Sequence, residues 1–349
     1  MRNRSADDKQ RYRSRGVTEM LPFVSVIIPT YNRSQLLQQT VHTFLRQDYP
    51  ADRRELILVD NGSTDNTIDV IRSLEREHTG VRAMSEARKG AHFARNTGAL
   101  AATGEMLYFT DDDMLAEPNM LSEIVRGFDT DPEVASVTGK VLPKWETEPP
   151  VWVLEHCRNA LLSLLDIGEA TIVSDEDPGV FSCHQAVRRE VFIAAGGFNP
   201  DTNAEVFTGD NETGLNIKIR NLGYRFAYVG SAVTHHILPA SRMTQNYLNG
   251  RMADQGFCDS YTQFRELHPG KGRLLRRMLA HSVLGGLTVL KAVVHRVAGE
   301  SSWHVDLARL FYFRNRIRYD ARLVSQERWR QFALRDNWLS ESETVNAAH

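Results

Sequence analysis

Leu107-Tyr108-Phe109-Thr110-Asp111-Asp112-Asp113 is an apolar run that ends in three adjacent carboxylates. Asp is a poor strand residue, and three in a row repel one another, so a strand end alone does not call for them. Two readings stand at this point. One is an acidic, solvated loop, since Asp favours turns. The other is a site for something positive, most simply a hard divalent cation that takes oxygen ligands. Strand alternation puts Asp111 and Asp113 on one side and Asp112 on the other.

Upstream, Phe23-Val24-Ser25-Val26-Ile27-Ile28-Pro29 reads as a buried parallel strand. Thr30-Tyr31-Asn32-Arg33-Ser34 follows, with Ser34 placed to cap a helix from Gln35 to Gln47. Glu55 to Asp60 predicts a second strand ending in a carboxylate, Asn61 to Asp65 a turn, and Thr67 to Glu77 a second helix. This alternation predicts a parallel α/β sheet with right-handed crossovers. Ligands in such sheets bind outside the carboxyl ends of the strands. Pro29 to Asn32, Asp60 to Ser63 and the Asp triplet all lie at such ends. Before the triplet, Gly90 breaks a loop, and Ala91 to Ala102 forms a small-residue helix with Gly104 as its cap. Arg88, Lys89 and Arg95 are cations on the approach to the triplet, or else a solvated basic face.

Downstream, Pro118 starts a helix through Phe128, and Val134 to Val141 reads as a strand. Pro143 to Pro150 is an irregular loop, followed by a helix over roughly Trp152 to Leu165. A strand over Gly179 to His184 leads to a short helix across Ala186 to Phe192 and a turn at Gly196-Gly197. Thr208 to Arg220 is helical. Asp210 and Glu212 stand at its start, where the macrodipole alone favours acids. Gly223 ends that helix, Arg225 to Val229 is a strand, and His235-His236 follows.

The totals are those of an ordinary soluble globular chain: 349 residues, 42% hydrophobic, 25% charged and a formal net charge of −2. Nothing in that balance points to nucleic acid. Cys157, Cys183 and Cys258 are odd in number and form no metal-binding spacing, which suits a reduced, cytoplasmic compartment. Met1 to Arg15 lacks an apolar segment and reads as a disordered tail, not a signal peptide. No uncharged apolar run reaches about 18 residues, so a membrane-crossing helix is not expected. The nearest approach, Met278 to Val294, is interrupted by His281, Lys291 and Gly285-Gly286. Lys271, Arg273, Arg276 and Arg277 lie beside it. Basic residues flanking an apolar helix suit a membrane surface, or equally a helix packed on the core with a solvated basic face.

Together these residues resemble the family 2 glycosyltransferases, which have the GT-A fold. The resemblance rests on Val26-Ile27-Ile28-Pro29-Thr30-Tyr31-Asn32-Arg33, Leu58-Val59-Asp60-Asn61-Gly62-Ser63-Thr64-Asp65 and Ala94-Arg95-Asn96-Thr97-Gly98. It rests further on the Asp triplet, Arg188-Arg189 followed by Gly196-Gly197-Phe198, and Leu215 to Gly223 with the acids before it. The six motifs run in the family's order from about Phe23 to His236. The resemblance implies an α/β architecture of GT-A type over residues 23–240: a Rossmann-like, mostly parallel sheet flanked by helices. A tail over 1–22 precedes it, and a C-terminal helical region over 241–349 follows.

The resemblance also implies roles. Pro29, Thr30, Tyr31 and Asn32 stand where the family holds the nucleotide base, and Asp60 where an acid meets base or ribose. Arg88 and Arg95 fall where the donor is met, and Asp111 and Asp112 belong to the same nucleotide-sugar site. Asp111 and Asp113 match the acids of the metal motif, with His236 at a position that in several relatives helps hold metal or diphosphate. His184 stands where many relatives have Asn. Glu212 takes the place of the catalytic base, where the family usually has Asp; Asp210 is the alternative. The expected activity is inverting transfer of a sugar from a nucleotide diphosphate donor to an acceptor hydroxyl, with Mg²⁺ or Mn²⁺ as cofactor. The expected acceptor is a sugar or a lipid-linked one, in polysaccharide, glycolipid or cell-envelope glycan synthesis. The enzyme would be cytoplasmic, or peripheral on the inner membrane face. Two other functions fit less well: a nucleotidyltransferase, which would want Gly in the 29–33 loop, and a non-catalytic nucleotide-sugar binding module.

Overall fold

The computed structural model describes residues 21–157, 162–201 and 209–340. The expected tail over 1–22 therefore lies outside the described residues except for Leu21 and Pro22, and so do Thr208 and part of the predicted helix over 152–165.

Four parallel strands form one half of the sheet: β1 (Val24–Thr30), β2 (Arg54–Asp60), β3 (Val81–Ser85) and β4 (Met106–Thr110), in the order β3-β2-β1-β4. Their connections are helices α1 (Ser34–Leu45), α2 (Thr67–Glu77) and α3 (Ala91–Ala101). β1 is buried along its whole length because both faces are covered. Val24, Val26 and Ile28 join Leu37, Val41 and Phe44 of α1 and Ile71 of α2 in one apolar cluster. Ile27 points the other way, to Ile57, Val59, Leu107, Phe109 and the small face of α3. Gly98 lets α3 sit that close, since a Cβ there would lie 2.7 Å from Ile27 Cγ2. Phe44, fully buried against Tyr108, anchors the first face; its truncation to Ala would cost about 3–5 kcal/mol.

The sheet then turns antiparallel. β8 (His184–Arg188) pairs antiparallel with β4 and with β6 (Val134–Trp145), and β9 (Arg225–Leu238) runs parallel to β6. The short strands β5 (Met114–Ala116) and β7 (Ile172–Ser174) pair with β9. Helix α4 (Met120–Gly127) packs on β9 and β6. Helix α5 is Val151–His156, α6 is Arg189–Ala194 and α7 is Asn211–Asn221. This is the expected α/β class with flanking helices and a helical C-terminus.

Several boundaries differ from the expectations. Ser34 is the first residue of α1 and caps nothing; Arg33 takes the N-cap position without a side-chain bond. Gly104 is not a cap, because the backbone is already extended at Ala102. The helix expected to begin at Pro118 begins at Met120. The helix over 152–165 stops at His156, and Leu165 instead exchanges backbone hydrogen bonds with Val141 (2.8 and 3.0 Å). The strand expected over 179–184 lies at 184–188, drawn there by pairing with β4. β9 runs on nine residues past Val229 to Leu238, which makes His235 and His236 strand residues opposite Leu115 and Met114.

The C-terminal region is helical: α8 (Gln245–Leu267), α9 (Lys271–Val297), α10 (Trp303–Ser325) and α11 (Glu327–Ala333). Helix α9 continues unbroken through His281, Gly285-Gly286 and Lys291. Contrary to the expectation, its length and composition are sufficient to cross a membrane.

Candidate active site

The register of the parallel strands builds the site. Thr30 pairs with Asp60 and Ile27 with Phe109, so the carboxyl ends of β1, β2 and β4 open on one edge. A cavity of about 540 Å³ lies there. Its lining includes Pro29, Thr30, Tyr31, Arg95 and the whole Asp triplet, and Glu212 from the first turn of α7.

The three carboxylates have different partners. Asp112 is buried. It accepts from Thr30 Oγ1 (2.7 Å) and Arg33 (3.0 Å), and its carbonyl accepts from Thr40 Oγ1 (2.9 Å). Burial pushes its carboxyl up to about 6, against the pull of Arg33. Asp113 is equally buried, yet stays below the ordinary carboxylate range. The desolvation penalty there is outweighed by the guanidiniums of Arg242 and Arg33 against its carboxylate. Its Oδ2 accepts from Arg33 (3.0 Å) and Arg242 (2.7 Å). Asp111 is more exposed and pairs with Arg95, whose side chain is buried between α3 and the triplet.

Two buried atoms in this network, Arg95 Nε and Asp113 Oδ1, have no hydrogen-bond partner among the described residues. His236 Nε2 lies 3.6 Å from Asp113 Oδ1. Its ring is oriented by Nδ1, which donates to the Leu162 carbonyl (2.8 Å), leaving the Nε2 lone pair on the Asp113 side, where Arg242 donates to it. An orphaned carboxylate oxygen beside an imidazole lone pair fits a hard or borderline cation. Among the described residues no group of three His, Cys, Asp or Glu is arranged to hold a metal alone. Such an ion would therefore have to complete its coordination with substrate oxygens.

The two candidate bases separate cleanly. Asp210 is fully buried, accepts from Asn199 Nδ2 (2.6 Å) and Thr262 Oγ1 (2.9 Å), and does not line the cavity. Glu212 faces the cavity, where among the described residues its carboxylate accepts only a long contact from Ser182 Oγ (3.4 Å). Beside it stands His92, whose Nδ1 pairs with Asp201 while its Nε2 lies 3.7 Å from Glu212 Oε2 with no hydrogen bond. The His92 backbone N–H also donates to Asp201 (2.9 Å). Gly90 makes this approach possible: its φ is +134°, and a Cβ there would lie 2.5 Å from Asp201 Oδ2.

Other expected site residues support the cavity without lining it. Asn32, at φ +52°, accepts from the Thr64 backbone N–H (2.7 Å) and ties the β1 loop to the β2 turn. Asp60 accepts from the Ser63 backbone N–H (3.2 Å) and shapes that turn, leaving its neighbour Asn61 to reach the wall. Arg88 forms a two-pronged pair with Glu86 (2.9 and 2.6 Å), which holds that carboxyl near 2 against its burial. His184 is buried behind the sheet. Its Nε2 donates to the Ala232 carbonyl (3.1 Å) and its Nδ1 accepts from Tyr108 (2.6 Å). Sequence reasoning did not single out Arg33, His92 or Asp201 for the site. Arg33 was visible inside a quoted motif, but His92 and Asp201 are 109 residues apart and only the fold joins them.

Comparison with known proteins agrees with this geometry. Residues 25–195 match the family described as glycosyl transferase family 2. Glycosyltransferase AglE of Haloferax volcanii is 38% identical over 98 residues, 28% of this chain and 32% of that protein. The probable glycosyltransferase YdaM of Bacillus subtilis is 27% identical over 230 residues, 61% of this chain and 50% of its own length. The chain thus spans a third to a half of these relatives. The glucosyl-dolichyl phosphate glucuronosyltransferase of Haloferax volcanii is 26% identical over 67% of this chain and 75% of that protein. In fold, the chain is similar to the mannosyltransferase PcManGT of Pyrobaculum calidifontis, solved with GDP-Man and Mn²⁺: the TM-score is 0.57 at 21% identity, over 90% of this chain and 92% of that one. Residues 25–195, which carry Thr30, Arg95 and the Asp triplet, are similar to glycosyl transferase family 2, and the fold is GT-A.

Proposed function

We propose that this glycosyltransferase moves a sugar from a nucleoside diphosphate donor to an acceptor hydroxyl with inversion at the anomeric carbon. The observation that carries the reading is a single cavity with an unencumbered carboxylate, Glu212, and a cation-rich acidic cluster, Asp111 to Asp113 with Arg33, Arg95 and Arg242. Glu212 takes the proton of the acceptor hydroxyl as its oxygen bonds to the anomeric carbon. The bond from that carbon to the β-phosphate oxygen breaks, and the electron pair leaves with the nucleoside diphosphate. Arg95 and Arg242 are fixed positive groups for the charge that develops there. One displacement with no covalent intermediate inverts the centre.

Asp113, with His236 beside it and Asp111 nearby in sequence, would hold Mg²⁺ or Mn²⁺. When bound, that ion supplies Lewis-acid stabilisation of the diphosphate. Pro29, Thr30 and Tyr31 at the end of β1 receive the nucleotide base, with Asp60 and Asn32 shaping the adjacent turn. The Mn²⁺ and GDP-Man held by the Pyrobaculum protein support the donor class and the metal. The dolichyl phosphate in the name of the Haloferax relative supports a lipid-linked acceptor. Polysaccharide, glycolipid or cell-envelope glycan synthesis at the cytoplasmic face of a membrane follows, in keeping with three buried free cysteines.

The test is a thermal-shift screen of nucleoside diphosphates and nucleotide sugars with and without Mn²⁺. A bound ligand stabilises the folded state by mass action. The expected result is one base that stabilises strongly and more so with Mn²⁺, followed by anomeric inversion in the NMR spectrum of the product. No stabilisation by any nucleotide, or a retained anomeric configuration, would overturn the reading.

A further inference from the structure

Helix α9 is apolar on two opposite sides. Its inner line, Leu274, Gly285 and Ala292, is buried. Gly285 lies where a Cβ would be 3.5 Å from Phe313 and 3.7 Å from Leu310 of α10. Its outer line is Leu275, Leu279, Val283, Leu287, Leu290, Val294 and Val297, each three or four residues from the last and each 53–84% exposed. Val293 and Leu284 widen the stripe. A surface helix normally turns polar residues outward. Here the outward stripe carries Leu and Val along a helix about 40 Å long. Contiguous exposed apolar surface on that scale marks a contact with a partner or a membrane.

The charges around the stripe select the occupant. Lys271, Arg273 and Arg276 are exposed at the start of α9 and make no ion pair among the described residues. Other cations of the helix are engaged: Arg277 with Asp320, and Lys291 with Asp306 (3.5 Å). The first turns therefore offer free positive charge, and the following turns an aliphatic face without aromatic side chains. Phospholipids offer anionic headgroups followed by acyl chains in the same order. A second copy packed parallel would bring an identical cationic cluster to the same patch and be repelled by it, and an antiparallel copy would leave both clusters without a countercharge. The inner line sets the orientation. α10, packed along it, carries Asp306, Arg309, Arg314, Arg316, Arg318, Asp320 and Arg322. A membrane-crossing α9 would have to shed this partner or drag its charges into hydrocarbon.

We infer that α9 lies in the plane of an anionic bilayer, with its Leu/Val stripe sunk to the acyl boundary, Lys271, Arg273 and Arg276 among the headgroups, and α10 above. This goes beyond the proposed sugar transfer and does not depend on it. An enzyme held this way would meet an acceptor presented at the membrane surface, whatever its donor.

The test is flotation of the full-length chain with vesicles of phosphatidylcholine alone and of phosphatidylcholine with phosphatidylglycerol. Sedimentation without vesicles and thermal melts are recorded in parallel. The expected result is co-flotation with anionic vesicles, at least tenfold less for the triple variant Leu279→Glu, Val283→Glu, Leu287→Glu. The variant Lys271→Gln, Arg273→Gln, Arg276→Gln should bind weakly and lose its salt dependence. All variants should melt like the parent, because every substituted side chain is exposed. Three results would overturn the inference: no flotation with either vesicle at low salt, equal flotation of the Glu variant, or a dimer in solution that the Glu variant splits. Binding that resists a carbonate wash would overturn the in-plane orientation. None of these readouts involves donor or turnover, so the outcome is independent of the proposed reaction.

Discussion

Asp210 and Glu212 stand two residues apart, and the proposed reaction gives them different roles. Glu212→Gln removes a carboxylate that is 21% exposed and held by one long contact from Ser182. The fold should barely notice, with a change within about 0.5 kcal/mol. Turnover should fall about 10²- to 10⁴-fold, the usual worth of a positioned base, equivalent to about 3–5 kcal/mol in the barrier. Donor affinity should stay near the parent's, because the lost proton acceptor faces the acceptor side of the reaction. Asp210→Asn should do the reverse. Its carboxylate accepts at 2.6 Å from Asn199 and at 2.9 Å from Thr262 in a fully buried site. An amide keeps its oxygen for Asn199 and turns its NH2 to Thr262 Oγ1, whose proton must then go to the Cys258 carbonyl (3.1 Å), so a charge-assisted bond is exchanged for a neutral one at a cost of about 1 kcal/mol. The expected signature is a slightly lower melting point with turnover largely kept at temperatures where the variant is folded. The assays are donor titration by calorimetry, single-turnover transfer and a thermal melt on each variant. A hundredfold loss in folded Asp210→Asn, with near-normal turnover in Glu212→Gln, would refute the assignment.

The proposed metal site predicts that Mn²⁺ adds to nucleoside diphosphate stabilisation of the parent but not of Asp113→Asn, read by thermal shift; equal enhancement in both would remove Asp113 from the site. Gly90→Ala should lower stability by about 1–3 kcal/mol, since φ +134° and the nearby Asp201 both oppose a Cβ, and activity should fall with it as the His92–Asp201 pairing is disturbed; an unchanged urea midpoint would show that the loop relaxes freely. Burial holds His184 neutral in the fold, lowered to about 4 from 6.5, so the unfolded chain takes up its proton first. That stability is complete above about pH 6.5 and is lost as pH falls towards about 4, amounting to about 2 kcal/mol between pH 7.5 and 5. His184→Asn should lack this share of the acid sensitivity in paired urea titrations, and identical pH slopes for both proteins would refute it.

The parallel half of the fold was legible because each of its strands and helices carries its own periodic signal. Thr67 to Glu77 matches to the residue, and β1 and β2 to within a residue of each end; β4 stops at Thr110, so the strand alternation expected through Asp111 to Asp113 does not hold, and Arg33 meets Asp112 and Asp113 together. β3 was not foreseen: only Val81 is buried in it, since it is an edge strand with no apolar alternation to read. The antiparallel half was displaced for a different reason. β8 is buried as His-Gln-Ala-Val, and pairing with β4 defines it more than its own residues do. In the site, the Ala94 to Gly98 motif became physical. Arg95 pairs with Asp111, Asn96 exchanges hydrogen bonds with Phe198 (both 2.9 Å), and Gly98 admits Ile27. Asp210 and Glu212 could not be ranked from sequence, because what separates them is Asn199 and Thr262 on other elements. Helix α9 is hard to read linearly because His281, Gly285-Gly286 and Lys291 interrupt the apolar run, yet His281 and Gly285 turn away from the exposed stripe and Gly286 adds no polar side chain to it.

Charge balance explains why the triplet has three members. Each Asp meets a guanidinium from a different element: Arg95 on α3, Arg33 after β1 and Arg242 after β9. Three carboxylates and three guanidiniums close to neutrality, so the cluster is balanced without a donor. A nucleoside diphosphate brings further negative charge to that wall. For Arg95 or Arg242 to meet it, a carboxylate must give up part of its partner, and that carboxylate then needs a new countercharge. Asp113 is the member best placed for the exchange. Its Oδ1 is already without a hydrogen bond, whereas Asp112 is fastened by Thr30, Arg33 and Thr40. Under the proposed reaction, donor and cation therefore fill the site as one electrostatic unit, each raising the affinity for the other by the same factor. Asp112 keeps the loop in place while its two neighbours change partners.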